Sequence, residues 1–184
     1  MKNSYIGQAW LVIVLSLVFG AALAGVQAAL KPRIEQNKLN DTLGQIPSLV
    51  PGATTGQAET IGGQTVYRAL NDQGEQVGWM IPARGLGFAD VLDLLVGLNK
   101  DLSRVTGLSV LEQKETPGLG DRITEPRWRD QFKGKPTIPD LVVTKTAPKS
   151  DSEIQGVTGA TISSVSVAGI VNGAVARLRE GLRE

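Results

Sequence analysis

Cysteine and histidine are both absent from the 184 residues of this chain. Their absence excludes disulfides, cysteine-ligated iron–sulfur clusters, zinc sites built from these two residue types, and histidine-ligated haem. It also excludes mechanisms that need a cysteine nucleophile or a histidine base. We therefore expect no metal site and no catalytic residue of these types.

Net charge is nearly absent as well. The chain has 19 lysine and arginine residues against 18 aspartate and glutamate residues, a net charge of +1. No basic run occurs outside the edge of the N-terminal apolar segment. Because nucleic-acid binding needs a basic footprint, we expect no nucleic-acid partner.

Charge is missing altogether from residues 6–30, "IGQAWLVIVLSLVFGAALAGVQAAL". About 20 apolar residues cross the core of a bilayer, and Trp10 suits an interfacial position near one end. A cleaved signal peptide is the alternative, because "GVQAAL" offers the small residues of a cleavage site. The length of the run favours an uncleaved anchor, and we predict a transmembrane helix over residues 1–31.

A few charges indicate on which side of the membrane the remaining chain lies. Lys2 precedes the apolar run, whereas three basic residues follow it: Lys31, Arg33 and Lys38. Because positive charge favours the cytoplasmic side, this count predicts a cytoplasmic domain.

Residues 32–57 are predicted to form a juxtamembrane helix and a linker. Pro32 suits the first turn of a helix, and apolar residues follow near helical spacing as far as Leu49. The turn-rich "PGATTGQ" at residues 51–57 ends this segment. Residues 58–184 then form one folded domain.

Alternating patterns predict most of the strands in this domain. The segments "QTVYRAL" and "EQVGWMI" flank "NDQG", which indicates a β-hairpin. The segment "ADVLDLLVGL" suits either a helix or a buried strand, and the turn "NKD" after it favours a strand. The alternating "RVTGLSVLEQ" and the β-branched "DLVVTKT" at residues 140–146 predict two more strands, and "APKSDSE" predicts a polar loop.

The chain is predicted to end in a helix, with arginines near its C-terminus, where positive charge is favourable. Its apolar face repeats at helical spacing through Val167, Val171, Ala174, Leu178 and Leu182. The fold class is therefore α+β, with a mainly antiparallel sheet and a C-terminal helix behind one transmembrane helix.

Small and hydroxyl-bearing residues crowd the start of that helix in "GVTGATISS", residues 156–164. A helix start has unpaired N–H groups and partial positive charge, which attract phosphate, and Gly156 and Gly159 let the backbone approach a ligand closely. Four hydroxyls are available, those of Thr158, Thr161, Ser163 and Ser164. The alternative is helix capping, a role that we assign to Ser163 and Ser164.

A second loop, "KETPGLGDRI" at residues 114–123, combines proline and glycine around a single leucine. This composition is typical of a surface turn. The polar side chains of Glu115, Thr116 and Asp121 lie on the same loop, which is a common setting for a binding site.

Both motifs, in this order and behind one anchor helix, resemble a known family. "ETPGLGD", "EPRWRDQFKGK" at residues 125–135 and "TGAT" resemble the polypeptides that carry covalent FMN in two related membrane complexes. These are the G subunit of the Rnf electron-transport complex and the C subunit of the sodium-pumping NADH:quinone oxidoreductase. The likeness covers residues 65–178 and the anchor, and the short chain is more similar to the Rnf protein.

The resemblance implies that a phosphoester joins the phosphate of FMN to Thr161, the last residue of the motif that begins at Thr158. A separate flavin transferase makes this bond, and Gly159 and Ala160 leave its approach open. The family usually has an aspartate three residues before the motif, where this chain has Gln155.

The resemblance also implies that "ETPGLG" contacts the flavin ring. Lys145 is a candidate for the cation near flavin N1 and the C2 carbonyl, which stabilises reduced forms; the alternative is an ordinary exposed lysine. The predicted FMN-binding residues are Glu115, Thr116, Gly118, Leu119, Lys145, Thr158, Gly159, Ala160, Thr161 and Ser163.

The function implied by the resemblance is electron relay within an ion-translocating ferredoxin:NAD⁺ oxidoreductase of the cytoplasmic membrane. The anchor then packs with other subunits, and no stand-alone catalysis is expected. The implied location of the domain is periplasmic, contrary to the charge count. Three alternatives stay open: an unmodified structural or binding subunit, a component of the sodium-pumping complex like its C subunit, and a free-standing flavoprotein reductase.

Overall fold

The computed structural model describes residues 5–183, and the side chains of residues 9–34 and 36–183. Lys2 and the first residues of the predicted anchor lie outside these ranges. The chain divides into two compact units, the first ending at Thr42 and the second beginning at Leu43.

The N-terminal unit is built from helix α1 (Tyr5–Gly44), which has 40 residues. At 1.5 Å per residue it is about 60 Å long, whereas a bilayer core is about 30 Å thick. Every residue in the range 9–30 is exposed. An apolar surface of this extent is unfavourable in water, so the helix is suited to a membrane, as the sequence predicted.

Helix α1 continues through the boundary predicted between the anchor and a juxtamembrane helix, with Pro32 inside the helix. An internal proline removes one backbone hydrogen bond, but the helix does not end there. A separate short helix, α2 (Ile46–Leu49), follows. The later part of the predicted linker belongs to the folded unit, since Ile46, Leu49 and Val50 are buried in it.

A five-stranded antiparallel sheet forms the centre of the second unit, with its strands in chain order. The strands are β1 (Thr55–Ile61), β2 (Gln64–Leu70), β3 (Gln76–Leu86), β4 (Val91–Asn99) and β5 (Val105–Glu112). The predicted hairpin is confirmed as the β2–β3 pair, in which Tyr67 lies opposite Met80.

Strand β1 was not predicted, because its sequence "TGQAETI" is polar and largely exposed. It is joined to β2 by Gly62 and Gly63, which both have positive φ. Consecutive residues of positive φ suit a two-residue hairpin turn. Pairing with β2 therefore orders a segment whose own composition does not indicate a strand.

The ambiguous segment "ADVLDLLVGL" forms strand β4, as predicted. Leu92 and Leu94 belong to one hydrophobic cluster, and Leu95 belongs to a second cluster. Both faces of β4 are thus covered, which explains why its apolar residues do not alternate with polar ones.

Helix α4 (Thr161–Gly181) contacts β3, and its residues Val167, Val171 and Leu178 are buried in the larger cluster. The smaller cluster contains α2 residues, and a Cβ added at Gly97 of β4 would overlap the carbonyl oxygen of Leu49. The sheet therefore lies between two layers, of which α4 is the larger.

Within residues 5–183, two stretches are long and apolar enough to cross a membrane: Ala9–Leu49 and α4. The buried face of α4 identifies it as a core helix of the second unit. Leu182, which was predicted to extend this face, lies beyond the helix end and is 46% exposed.

Short elements connect β5 to α4. They are 3-10 turns at Gly120–Thr124 and Asp130–Phe132, helix α3 (Pro126–Arg129), and strands β6 (Val142–Thr144) and β7 (Glu153–Gln155). The strand predicted at residues 140–146 is shorter than expected and pairs in parallel with β7, outside the main sheet. The predicted α+β class with a mainly antiparallel sheet is confirmed.

Candidate functional site

The two motif loops meet in one cleft of about 340 Å³. This volume lies near the lower limit of about 300–1,000 Å³ for small-molecule pockets. Its lining residues are Phe88, Thr116, Leu119, Gly120, Gly159, Ala160, Thr161, Ile162 and Ser163. Segments far apart in sequence thus converge where the sequence predicted a binding site.

Most of the predicted site residues line this cleft. Six of the ten do so: Thr116, Leu119, Gly159, Ala160, Thr161 and Ser163. Gly118 does not line the cleft, but its φ of 73° shapes the turn before Leu119. Glu115, Lys145 and Thr158 lie elsewhere.

Large apolar side chains stand exposed in the cleft. Phe88 is 61% exposed, Leu119 is 47% exposed and Ile162 is 59% exposed. Exposed apolar groups that converge on one cleft are typical of a binding site. Only Leu119 was predicted; Phe88 lies in the turn between β3 and β4, where no pattern in the sequence indicates its role.

The polar end of the cleft is the start of α4, where Thr161 is the first residue. The N-cap residue is Ala160, and no described side chain caps the helix there. The predicted capping role of Ser163 and Ser164 is therefore wrong. The first N–H groups of a helix have no acceptor within the helix, so this end of the cleft suits an anion.

Ser164 instead holds the loop that precedes α4. Its Oγ donates to the carbonyl oxygen of Ala160 at 3.0 Å and accepts from the N–H of Val157 at 2.9 Å. Ser164 is fully buried. The conformation of the loop before Thr161 is thus fixed by an internal hydroxyl.

Glu115 lies behind the wall of the cleft and does not line it. The side chain is only 4% exposed. Its Oε1 accepts from the backbone N–H groups of Phe88 at 2.9 Å and Ala89 at 3.0 Å, and its Oε2 accepts from Ser163 Oγ. The carboxylate therefore ties together the β3–β4 turn, the first motif loop and the first turn of α4.

Two glycines make room for this carboxylate. A Cβ added at Gly87 would overlap Glu115 Oε1, and one added at Gly120 would lie 2.8 Å from Glu115 Cβ. Real Cβ atoms do not come this close to other heavy atoms. The buried Glu115 carboxylate thus explains why glycine occurs at Gly87 in "GLGF" and at Gly120 in "PGLGD". Neither segment indicates this contact by its own sequence.

The turn that carries Phe88 is also held by Asp90. The Gly87 N–H donates to the Asp90 carbonyl oxygen at 2.8 Å, and Lys114 Nζ lies 3.2 Å from Asp90 Oδ2. The backbone N–H of Val91, and then the hydrogen bond and charge of Lys114, lower the pKa of the Asp90 carboxyl below its usual value. These contacts join the turn to the first motif loop.

Lys145 and Thr158 lie outside this cleft. Lys145 is exposed in a bend just after β6, where the prediction had put it within the strand. Thr158 is exposed and lines a separate polar cleft of about 290 Å³, together with Arg122, Arg127 and Gln155. Thr158 and Thr161 therefore face different surroundings although they are three residues apart.

The segment "EPRWRDQ" supports the loop before Thr161 through Gln155. Trp128 Nε1 donates to the Gln155 carbonyl oxygen at 2.8 Å. The amide of Gln131 accepts from the Gln155 N–H at 2.9 Å and donates to its carbonyl oxygen at 3.2 Å. These bonds involve the backbone of Gln155 only, so they do not depend on which side chain stands at that position.

The residues present fit FMN. Aromatic and aliphatic walls suit a flavin ring, and the hydroxyls and uncapped amides at the start of α4 suit its phosphate. The loop approaches closely there, because Gly159 has a φ of 85° and a Cβ at this position would lie 3.1 Å from Leu119 Cδ2. Thr161, half-buried in the same cleft, offers the hydroxyl that a covalent link to the phosphate needs.

Comparison with known proteins gives a consistent result. The family model of the FMN-binding domain matches residues 87–176, a range that encloses every residue of the cleft. The G subunit of the ion-translocating oxidoreductase complex of Methanosarcina acetivorans is 33% identical over 172 residues, which cover 89% of this chain and 88% of the relative.

Two further comparisons extend the match. The G subunit of the Na⁺-translocating ferredoxin:NAD⁺ oxidoreductase complex of Acetobacterium woodii is 39% identical over 101 residues, covering 54% of this chain and 48% of that protein. The crystal structure of Shewanella oneidensis NqrC shares the fold, with a TM-score of 0.57 and 21% identity over 73% of this chain and 71% of that chain. By the extent of these matches, the chain belongs to the family formed by the G subunits of ion-translocating oxidoreductase complexes and contains their FMN-binding domain.

Proposed function

We propose that this protein is a membrane-anchored electron-transfer subunit that carries FMN on Thr161 within an ion-translocating ferredoxin:NAD⁺ oxidoreductase complex. The observation that carries the proposal is the convergence of the two motif loops on one cleft, with Thr161 at its polar end. When bound, FMN supplies the ability to accept and release electrons.

The chain itself holds and orients the flavin. Phe88, Leu119 and Ile162 provide apolar contact for the ring, and the start of α4 provides N–H groups for the phosphate. Because these three side chains lie at the protein surface and not in an enclosed cavity, a group bound against them would lie within reach of another subunit. This accessibility suits electron relay between proteins better than turnover of an enclosed substrate.

Attachment to Thr161 is a phosphoryl transfer in which one bond forms and one breaks. Thr161 Oγ1 would form the new bond to the phosphorus of the flavin phosphate. Free FMN lacks a good leaving group, so the donor would be an activated flavin dinucleotide, whose pyrophosphate bond would break to release a nucleoside monophosphate. The Oγ1 proton would pass to a base of the flavin transferase, with no change in the oxidation state of the flavin.

Helix α1 would anchor the protein among the membrane subunits of the complex, with the FMN-binding domain on the periplasmic side. The length and apolar surface of α1 support the anchor. The relatives support the complex, because their names describe subunits of ion-translocating oxidoreductases.

In-gel flavin fluorescence tests the covalent link. The full chain is produced in membranes together with a flavin transferase, then denatured and run on a gel. We expect a fluorescent band for the wild type and for Thr158→Ala, and none for Thr161→Ala. A dark wild-type band with transferase present would contradict the proposal and favour an unmodified subunit.

A further inference from the structure

Glu115 is the one charged residue among the buried polar residues that the structure describes. Within residues 5–183 no cationic side chain forms an ion pair with it. Among the described residues, its charge is balanced by two backbone N–H groups, the Ser163 hydroxyl and the positive end of α4. A buried charge without a counter-ion is costly, and the hydrogen bonds of Glu115 must offset this cost.

The hydrogen bonds of Glu115 do not by themselves require a charge. A glutamine could accept from the N–H groups of Phe88 and Ala89 through Oε1. Its Nε2 could donate to the Ser163 hydroxyl, which is able to accept as well as donate. The negative charge, which no described cationic side chain neutralises, is therefore the property that distinguishes Glu115 from a neutral clamp of the same shape.

The carboxylate lies directly behind the cleft on two sides. Ser163 contacts it through Oγ and also lines the cleft. Phe88 bonds to it through its backbone N–H, while the Phe88 side chain forms a wall of the same cleft. Only one residue thus separates the charge from a group bound there, and both Glu115 and Ser163 are buried, which limits screening by solvent.

We propose that Glu115 is a positioning residue whose buried charge makes the group in the cleft harder to reduce. This inference rests on the proposed function, in which that group is FMN. A fixed negative charge disfavours the arrival of an electron nearby, and the effect is large where water is excluded. The carboxylate thereby lowers the reduction potential of the flavin, in addition to holding the cleft wall.

Two substitutions separate charge from shape. Glu115→Gln keeps the length of the side chain and removes the charge. Glu115→Asp keeps the charge and shortens the side chain by one methylene group. Glu112→Gln, at the exposed end of β5, is the matched control for loss of one negative charge. The readouts are flavin content, thermal unfolding and spectroelectrochemical reduction potential, all measured on the full flavin-loaded chain.

We expect Glu115→Gln to raise the equilibrium constant for one-electron reduction of the flavin by about tenfold or more. This change corresponds to a rise in reduction potential of about 59 mV or more. Glu115→Asp should stay close to the wild-type potential, even where its thermal stability falls, and Glu112→Gln should not shift it. A purely structural role predicts instead that Glu115→Asp shifts the reduction potential as much as Glu115→Gln does. This result would overturn the inference.

If one variant fails to fold, the reduction potential of the other variant still tests the inference. A loaded Glu115→Gln chain with the wild-type potential contradicts the inference and leaves the proposed function intact. A shifted potential in Glu115→Asp contradicts it equally. If the wild-type chain holds no FMN, both the proposed function and this inference are wrong.

Discussion

The indole N–H of Trp128 donates a hydrogen bond to the carbonyl oxygen of Gln155, six residues before Thr161. The distance is 2.8 Å. Trp128 also packs edge-on against Phe132, with ring centroids 5.3 Å apart. Trp128 thereby joins the segment after the first motif loop to the loop that presents Thr161.

Trp128→Phe should remove this hydrogen bond while keeping an aromatic ring against Phe132. We expect the free energy of unfolding to fall by about 1–2 kcal/mol, because one partly buried carbonyl loses a donor and a small cavity forms. We also expect a smaller fraction of chains to carry FMN, because the loop before Thr161 is held less firmly. Denaturant unfolding and flavin content of the detergent-solubilised chain measure the two effects.

Trp79→Phe is the matched control, since Trp79 Nε1 donates to the Lys100 carbonyl oxygen at 3.3 Å, outside the cleft. A comparable loss of stability with unchanged flavin content is expected. If both variants lost flavin to the same degree, the special role of Trp128 would be refuted.

Gly87→Ala should displace the Glu115 carboxylate, because the new Cβ would overlap Oε1. Overpacking of this kind costs about 1–3 kcal/mol, and the cleft should hold less FMN. In Gly169→Ala the new Cβ meets nothing within 4 Å on helix α4. That variant should keep its flavin and gain up to about 1 kcal/mol from helix propensity. Equal stability and equal flavin content of the two alanine variants would show that Gly87 is not required for the Glu115 contact.

Acid should weaken the turn that carries Phe88. The pKa of Asp90 is lowered in the folded state, chiefly by the Val91 N–H and then by Lys114. A carboxyl with a lowered pKa stabilises the fold above its usual pKa, and this contribution is lost as the pH falls through the folded-state value. Because the Asp90 side chain is 44% exposed, screening keeps the effect small.

Melting temperatures of the wild type and Asp90→Asn, measured from pH 7 to pH 3, test this role. The wild type should melt at the higher temperature near pH 7, and the difference should shrink below about pH 4, near the usual aspartate pKa. A difference that stays constant or grows towards pH 3 would contradict the assigned role.

The absence of cysteine allows a direct test of membrane topology. A single Asp72→Cys substitution lies in the exposed β2–β3 turn, and no other thiol is present. A membrane-impermeant maleimide should label it in spheroplasts with an intact cytoplasmic membrane, if the domain is periplasmic. Labelling only after lysis would instead support the cytoplasmic side that the charge count predicts.

Much of the sheet could be predicted because burial leaves a periodic trace in the sequence. The β2–β3 hairpin and β5 alternate, and β4 is continuously apolar because both its faces are covered. Strand β1 leaves no such trace, since its order comes from pairing with β2. The position of Pro32 was ambiguous for a related reason: proline suits either a helix start or, at a cost, an internal position, and only the folded chain shows that it lies inside α1.

The candidate site was predictable to a similar extent. The glycines and hydroxyls of both motif loops are local signals, and the cleft contains most of the residues that they identified. The role of Glu115 was not predictable, because its partners Phe88 and Ser163 are 27 and 48 residues away. A buried acid and an exposed acid in a loop look the same in a sequence.

The most direct test of the central claim is the mass of the peptide that contains residues 156–164, released from the full chain after production with a flavin transferase. We predict that this peptide carries the mass of one FMN less one water, and that fragmentation assigns the addition to Thr161. An unmodified peptide, or an addition on Thr158, would contradict the account.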